Sequence, residues 1–170
     1  MALRKGLVHL YTGNGKGKTS AALGLCLRAV GRGLKCCFIQ FVKGAPTGEL
    51  FAAEELPNFE FFQTGRPGYD FKPTPADKTY AERGLKLAAE KAREADLLVL
   101  DEVVVAVHLK LLPEEAVVEF VKRKPEKLEL VLTGRYATGR LIEVADYVTY
   151  FQLIKHPFYK GERAREGVDF

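Results

Sequence analysis

Apolar residues gather into short runs along this chain, separated by polar, charged or small residues. Six runs are rich in β-branched or aromatic residues and predict strands at 7–11, 36–41, 59–62, 97–100, 128–132 and 147–153. Several are apolar almost without a break, which is the pattern of strands covered on both faces. Between them, segments 18–32, 76–95, 113–122 and 140–145 have the composition of helices. The first stops at Gly31-Arg32-Gly33, and the second has a proline-led start at Pro75-Ala76-Asp77 followed by the helix formers KLAAEKAREA. Alternation of strand and helix from end to end predicts an α/β fold with a mostly parallel central sheet of about six strands. A length of 170 residues fits one domain spanning 1–170. Two stretches carry no regular pattern, 43–49 and 64–74, and the second is long for a compact domain, as functional loops often are.

Charge and cysteine usage narrow this picture a little. The net charge of +4 and the absence of any long block of like charges favour an anionic small ligand and give no footprint for nucleic acid. The N-terminal MALRKGLVHLY lacks the apolar core of a signal peptide, and the apolar runs are far too short to span a bilayer. Cys26, Cys36 and Cys37 show neither CxxC nor metal-ligand spacing. They are expected to be free core residues of a cytoplasmic protein without membrane partners.

The sharpest chemical signal is TGNGKGKTS, residues 12–20, which stands between a strand and a helix. Glycines 13, 15 and 17 would let backbone N–H groups turn inward around phosphate oxygens, and the helix N-terminus adds partial positive charge. Lys18 is expected to reach terminal phosphates and Thr19 to offer its hydroxyl to Mg²⁺. The pattern G-x-x-x-x-G-K-[ST] is met except at its first glycine, where Thr12 stands, and Lys16 adds a second lysine inside the loop. Its companion is ADLLVLDEV, 95–103, an apolar strand ending in Asp101-Glu102 at the edge of the sheet where open α/β folds bind ligands. One or both carboxylates are expected to hold Mg²⁺ or its water shell. Together the two motifs predict a P-loop NTPase-like, RecA-like three-layer sandwich that binds Mg-nucleotide.

More of the chain then comes into play. GLVHLYTGNGKGKTSAALGLCLRAVGRG, FIQFVKG, LLVLDE, LELVLTGR, LIEVAD and KHPFYKGERAREGVDF resemble, in order and over nearly the whole length, the CobA-type ATP:corrinoid adenosyltransferases. The resemblance implies transfer of the 5′-deoxyadenosyl group of ATP to the Co(I) of a reduced corrinoid, with release of triphosphate. Co(I) is itself the nucleophile in such a reaction, so the lack of a Ser/His/Asp or Cys/His arrangement is no obstacle. Carried over by motif, Gly13, Asn14, Gly15, Lys16, Gly17, Lys18, Thr19 and Ser20 form the triphosphate site. Thr19, Asp101 and Glu102 would hold the metal, Mg²⁺ or Mn²⁺. Gln40, Lys43 and Glu49 would lie near the nucleotide, and Arg135 of TGR would meet phosphate. Lys18, Thr19, Glu102 and Arg135 are thus the expected catalytic set. Tyr69 and Phe71 of GYDF would face the lower side of the corrin ring and exclude its axial ligand. A flavoprotein reductase as electron donor and a homodimer are further implications of the resemblance.

Three departures accompany it. Val103-Val104-Val105 follow the acidic pair where many relatives carry a polar residue, GYDF replaces other aromatic pairs, and the first strand starts near Gly6, leaving closure of the site to other parts of the chain. The competing expectation is a small P-loop ATPase or kinase, because an acidic pair at a strand end also polarises water in hydrolases. Of the histidines, His9 is expected in the core, His108 either in the core or on the surface, and His156 in the KHPF motif without a cobalt contact.

Overall fold

Strands β1 (Val8–Thr12), β2 (Cys36–Gln40), β3 (Phe59–Gln63), β4 (Leu97–Asp101), β5 (Glu129–Thr133) and β6 (Tyr147–Tyr150) build a sheet in the order β3-β2-β4-β5-β1-β6. The protein is represented by a computed structural model, in which residues 3–67 and 73–170 are described. All five pairings are parallel, so the sheet is wholly parallel among the described residues, where the sequence predicted mostly parallel. Parallel neighbours need crossovers, and these are supplied by α1 (Lys18–Val30), α2 (Gly48–Glu54), α3 (Pro75–Lys91), α4 (Val103–His108), α5 (Glu114–Lys122) and α6 (Gly139–Glu143).

Alternation of side chains divides each central strand between two cores. In β2, Cys36 and Phe38 face the α1 side while Cys37 and Ile39 face the opposite layer; in β4, Leu97 and Val99 pair with the first set and Leu98 and Leu100 with the second. Helix α1 meets its core with Ala22, Cys26 and Ala29, small residues on one stripe that bring the helix close to the sheet. The larger core lies under α3, α4, α5 and α6, where Ala81, Ala88, Val103, Val104, Val117, Val118 and Leu141 are buried. Each fully buried aliphatic side chain contributes roughly 1.5–3 kcal/mol. The three free cysteines belong to these cores, and burial pushes the Cys37 thiol up to about 12, which leaves it protonated and inert.

Two elements escape the sequence pattern. Helix α4 is built from Val103-Val104-Val105-Ala106-Val107-His108, β-branched residues of modest helix propensity, and forms because Val103, Val104 and Ala106 all gain burial. Helix α2 begins at Gly48, inside the stretch expected to be irregular, and packs on β3 with Ala53 buried. The predicted start of α3 is present: Thr74 precedes Pro75, and its N–H donates to Asp77 Oδ2 at 2.7 Å. His9 is a largely buried histidine with a partner, Nε2 lying 2.6 Å from Glu129 Oε1 and the ring stacked on Tyr147.

The carboxyl ends of the strands are where the chain turns sharply. Gly13 after β1, Val42 after β2, Glu102 after β4, and Gly134 and Tyr136 after β5 all have positive φ. For Val42, a β-branched residue, this is a strained conformation held by its surroundings. The loop after β2 also runs hard against the loop after β3: Gly65 N–H donates to Lys43 O at 3.0 Å, and a Cβ on Gly65 would lie 2.4 Å from the Lys43 backbone. Helix α3 clamps the same region through Gly84, where a Cβ would lie 2.5 Å from Thr64 Oγ1 and 2.8 Å from Phe41 Cε1. In an open helix Gly→Ala stabilises by up to about 1 kcal/mol. Here Phe41 is fully buried and its ring has nowhere to retreat, so overpacking prevails. Gly84→Ala is expected to lower stability by about 1–3 kcal/mol. Thermal unfolding checks this, and a melting temperature at or above wild type would mean that α3 can shift freely on the sheet.

Candidate functional site

The loop between β1 and α1 is seated by the chain that leaves β6. Phe151 N–H donates to Thr12 O and Gly15 N–H donates to Phe151 O, each at 2.7 Å. A Cβ on Gly13 would lie 2.5 Å from Phe151 O, and one on Gly15 would lie 2.8 Å from Gln152 O. These two glycines are therefore required by close backbone approach, Gly13 also by its φ of 101°. Gly17, at φ 114°, turns the chain into α1, whose first N–H groups from Lys18 onward have no acceptor one turn back within the helix. That geometry is an anion site.

Lys18 is buried, and its ammonium donates to Gly13 O and Gly15 O at 2.8 Å each. The lysine thus braces the loop from within. Burial lowers its pKa, the neighbouring Glu102 opposes that shift, and Arg135 adds to it. Lys16 reaches from the loop to the C-terminal segment across the cavity and forms an ion pair with Asp169; its Nζ also lies 3.4 Å from Val168 O. Asp169 further accepts from Arg165, through N–H at 2.9 Å and Nε at 3.1 Å.

Beneath the loop lies Asp101, fully buried at the end of β4. Its Oδ1 accepts from Thr19 Oγ1 at 2.9 Å and from Thr133 Oγ1 at 2.6 Å, while Oδ2 accepts from Gln40 Nε2 at 3.0 Å. Both carboxylate oxygens are thereby committed to protein donors, which sets Asp101 behind Thr19. Glu102 follows in a left-handed conformation, φ 60° and ψ 15°, and its N–H donates to Thr133 Oγ1 at 2.9 Å. This turn brings Glu102 to the cavity wall. Burial raises the pKa of its carboxyl and the adjacent Asp101 adds to the rise, against the pull of Lys43, Lys18 and Arg135.

A cavity of about 700 Å³ opens over the loop. Residues 15–20, Lys43, Glu49, Glu102 and Arg135 line it, with His156 and the C-terminal residues Glu162–Arg165 and Gly167–Phe170 on the far side. Gly13 and Asn14 lie at the entry to the loop outside this lining, and Gln40 and Asp101 sit below its floor. A second cavity, about 690 Å³, shares Lys43, Glu102, Arg135, Ala164, Asp169 and Phe170 with the first. Its other wall includes Val42, Val105 and Leu109 together with His108, whose ring stacks on Tyr136 with centroids 4.2 Å apart. Tyr69 and Phe71 lie outside the described residues.

Sequence reasoning missed three contributors. Thr133 and Gln63, whose Nε2 donates to Gln40 Oε1 at 2.9 Å, are neutral residues at strand ends and carry no motif of their own. The C-terminal segment was visible as a motif, but nothing in it marked Asp169 as the partner of Lys16. His156 lines the cavity, and its Nδ1 accepts from Phe158 N–H at 3.2 Å, capping a short 3₁₀ turn (Pro157–Lys160).

This arrangement has known relatives. The family model for ATP:corrinoid adenosyltransferases of the BtuR/CobO/CobP type matches residues 4–170. The chain belongs to that family. A corrinoid adenosyltransferase from Sinorhizobium is 38% identical, over 98% of this chain and 81% of its own length. One from Pseudomonas aeruginosa is 36% identical over 98% and 84%, and one from Salmonella typhimurium is 33% identical over 98% and 86%. Among solved structures, a KaiC-like protein from Pyrococcus horikoshii superposes with a TM-score of 0.56 at 19% identity, covering 89% of this chain and 75% of that one. That likeness bears on the fold alone and agrees with the expected P-loop NTPase-like α/β architecture.

For this adenosyltransferase-family site, the raised pKa of Glu102 has a consequence for stability. A carboxyl whose pKa is higher in the folded chain favours the protonated form there. Its ionisation costs stability once pH has risen through that folded value, and the cost is absent below the ordinary carboxylate range. Glu102→Gln is therefore expected to raise the melting temperature at neutral pH, with the gain fading as pH falls toward and below about 4.3. Thermal melts across pH test the sign; a variant less stable than wild type at pH 7 would show that the charge of Glu102 is well compensated.

Proposed function

We propose that this chain transfers the 5′-deoxyadenosyl group of ATP to the Co(I) centre of a reduced corrinoid and releases inorganic triphosphate. The observation that carries the reading is the match to ATP:corrinoid adenosyltransferases over residues 4–170, with Lys16, Lys18, Lys43 and Arg135 lining one cavity over the helix N-terminus. Such a site suits a leaving group with many negative charges. Cobalt supplies an electron pair to C5′, the C5′–O bond breaks, and its electrons depart with the triphosphate. The chain's own contribution is to hold the ribose in line and to neutralise the developing charge. The cavity shared at Lys43, Glu102 and Arg135 leaves space for a second substrate beside the first.

Mg²⁺ or Mn²⁺ fits the donors available. The Thr19 hydroxyl gives its hydrogen to Asp101 and keeps its lone pairs for a cation, and Glu102 offers carboxylate oxygen from the cavity wall. Among the described residues no group of three or more His, Cys, Asp or Glu side chains forms a ready-made metal cluster, so triphosphate oxygens and water would complete the shell. A divalent ion held there would add positive charge against the leaving group. Tyr69 and Phe71 are assigned the lower face of the corrin ring. A cytoplasmic setting, a flavoprotein electron donor and a homodimer complete the reading; no described helix is long and apolar enough to cross a membrane.

The decisive experiment mixes ATP with a chemically reduced Co(I) corrinoid and follows its absorbance together with the phosphorus products. Triphosphate formed only in the presence of the corrinoid is expected, and Lys18→Ala should reduce the rate at least a hundredfold, as expected for loss of a principal electrostatic contact. Steady production of ADP and phosphate without corrinoid would overturn the reading in favour of a hydrolase. Tyr69→Ala and Phe71→Ala should slow reduction of Co(II) more than adenosylation of preformed Co(I). Equal losses in the two assays would remove these aromatics from the corrin face.

A further inference from the structure

Gln40 is fully buried between two carboxylates: its Nε2 lies 3.0 Å from Asp101 Oδ2 and 3.3 Å from Glu49 Oε1. An ionised carboxylate can only accept, so the amide must present nitrogen to both and oxygen to the remaining side. On that side stands Gln63, the last residue of β3, whose Nε2 donates to Gln40 Oε1 at 2.9 Å and to Ala45 O at 2.8 Å. The bonds form one directed chain across three parallel strands: Gln63 donates to Gln40, Gln40 donates to Asp101, and Asp101 accepts the hydroxyl of Thr19. Every link has its polarity fixed by the one before.

We infer that Gln63 is a positioning residue for the nucleotide site, acting through Gln40 and Asp101 on the hydroxyl of Thr19. Without its donor, the Gln40 oxygen is left buried and unpaired, and the amide loses the contact that holds it on the side away from Asp101. Any shift of the amide lengthens its bond to Asp101 Oδ2 and loosens the carboxylate that orients Thr19. Because Gln63 is also the residue from which the loop after β3 departs, and holds the loop after β2 through Ala45 O, it ties both loops to the floor of the phosphate site. The inference rests on the nucleotide reading given above.

Two substitutions separate this role from packing. Gln63→Glu keeps size and shape but, when ionised, has no hydrogen to give to Gln40; Gln63→Leu removes the donor at any pH. The charged groups nearest position 63 are Asp101 of β4 and Glu49 of α2, both against Gln40, and Lys43 of the loop after β2, whose charge acts on Glu102; Lys91 of α3 is held by Glu60 nearer the other end of β3, and Arg66 is paired with Asp77. An acidic side chain here would therefore be protonated more readily than in water. Binding of Mg·ATP, measured by calorimetry and expressed at each pH relative to wild type, is expected to fall about threefold to tenfold for both variants at pH 7.5, the range of one lost hydrogen bond. Towards pH 5.5 the Glu variant should regain much of the loss as its carboxyl becomes a donor, while the Leu variant should not. Affinities within twofold of wild type for both variants would overturn the relay, as would a loss in Gln63→Glu that fails to recover at low pH. The wild-type titration is read first, so failure of ATP binding itself would appear there and is distinct from equality of the variants with a wild type that binds.

Discussion

Asp101 is a carboxylate taken wholly out of water at the end of a strand, and a charge in that position is tolerable only if its oxygens are filled by donors. The donors come from α1, β2 and β5, through Thr19, Gln40 and Thr133. The same interaction that satisfies the charge therefore fixes the spacing of three neighbouring segments at the sheet edge where the site is built. Removing any one donor would leave part of the charge uncompensated, and the remaining partners would have to move. The phosphate loop, the turn at Glu102 and the segment after Thr133 depend on it together.

Around that anchor, the strands end in tight turns. Left-handed residues follow β1, β2, β4 and β5, and three of them, Val42, Glu102 and Tyr136, are not glycine. Such conformations cost of order 1–3 kcal/mol each and persist where the surroundings hold them. The gain is one of direction. Glu102 is brought up to the cavity from the residue next to a buried aspartate, so adjacent carboxyls take different tasks, one binding the framework and one facing the ligand. The two cores below pack closely enough to hold this geometry, with α1 lying on the sheet through Ala22, Cys26 and Ala29.

The sequence revealed the strands well because β2 and β4 are buried on both faces and are apolar up to the single polar residue that ends each, Gln40 and Asp101. It revealed the phosphate loop because close backbone approach and positive φ demand glycine, and glycine at 13, 15 and 17 is visible as a pattern. Helix α4 was illegible as a helix because a run of valines has no helical period, and burial decided its state. Asp101 and Glu102 were both expected at the metal, yet nothing in a dipeptide says which carboxylate will turn inward. Gln63 and Thr133 were silent for a related reason: a neutral side chain acquires its role only from the partner that the fold places opposite it. The contact between Lys16 and Asp169 joins residues far apart along the chain through a segment without periodicity, so no local pattern announces it.

That last contact bears on turnover. A triphosphate that reaches Lys16 meets a lysine already neutralised by Asp169, and must displace an anion tethered to the same molecule. A tethered anion competes at a fixed effective concentration, whatever the amount of nucleotide in solution. If triphosphate binds at Lys16 as proposed, the pair would lower the apparent affinity for substrate phosphates and for the departing product alike. An enzyme whose product is the more highly charged species gains from such a ceiling, because the grip that assists bond breaking would otherwise retain the leaving group.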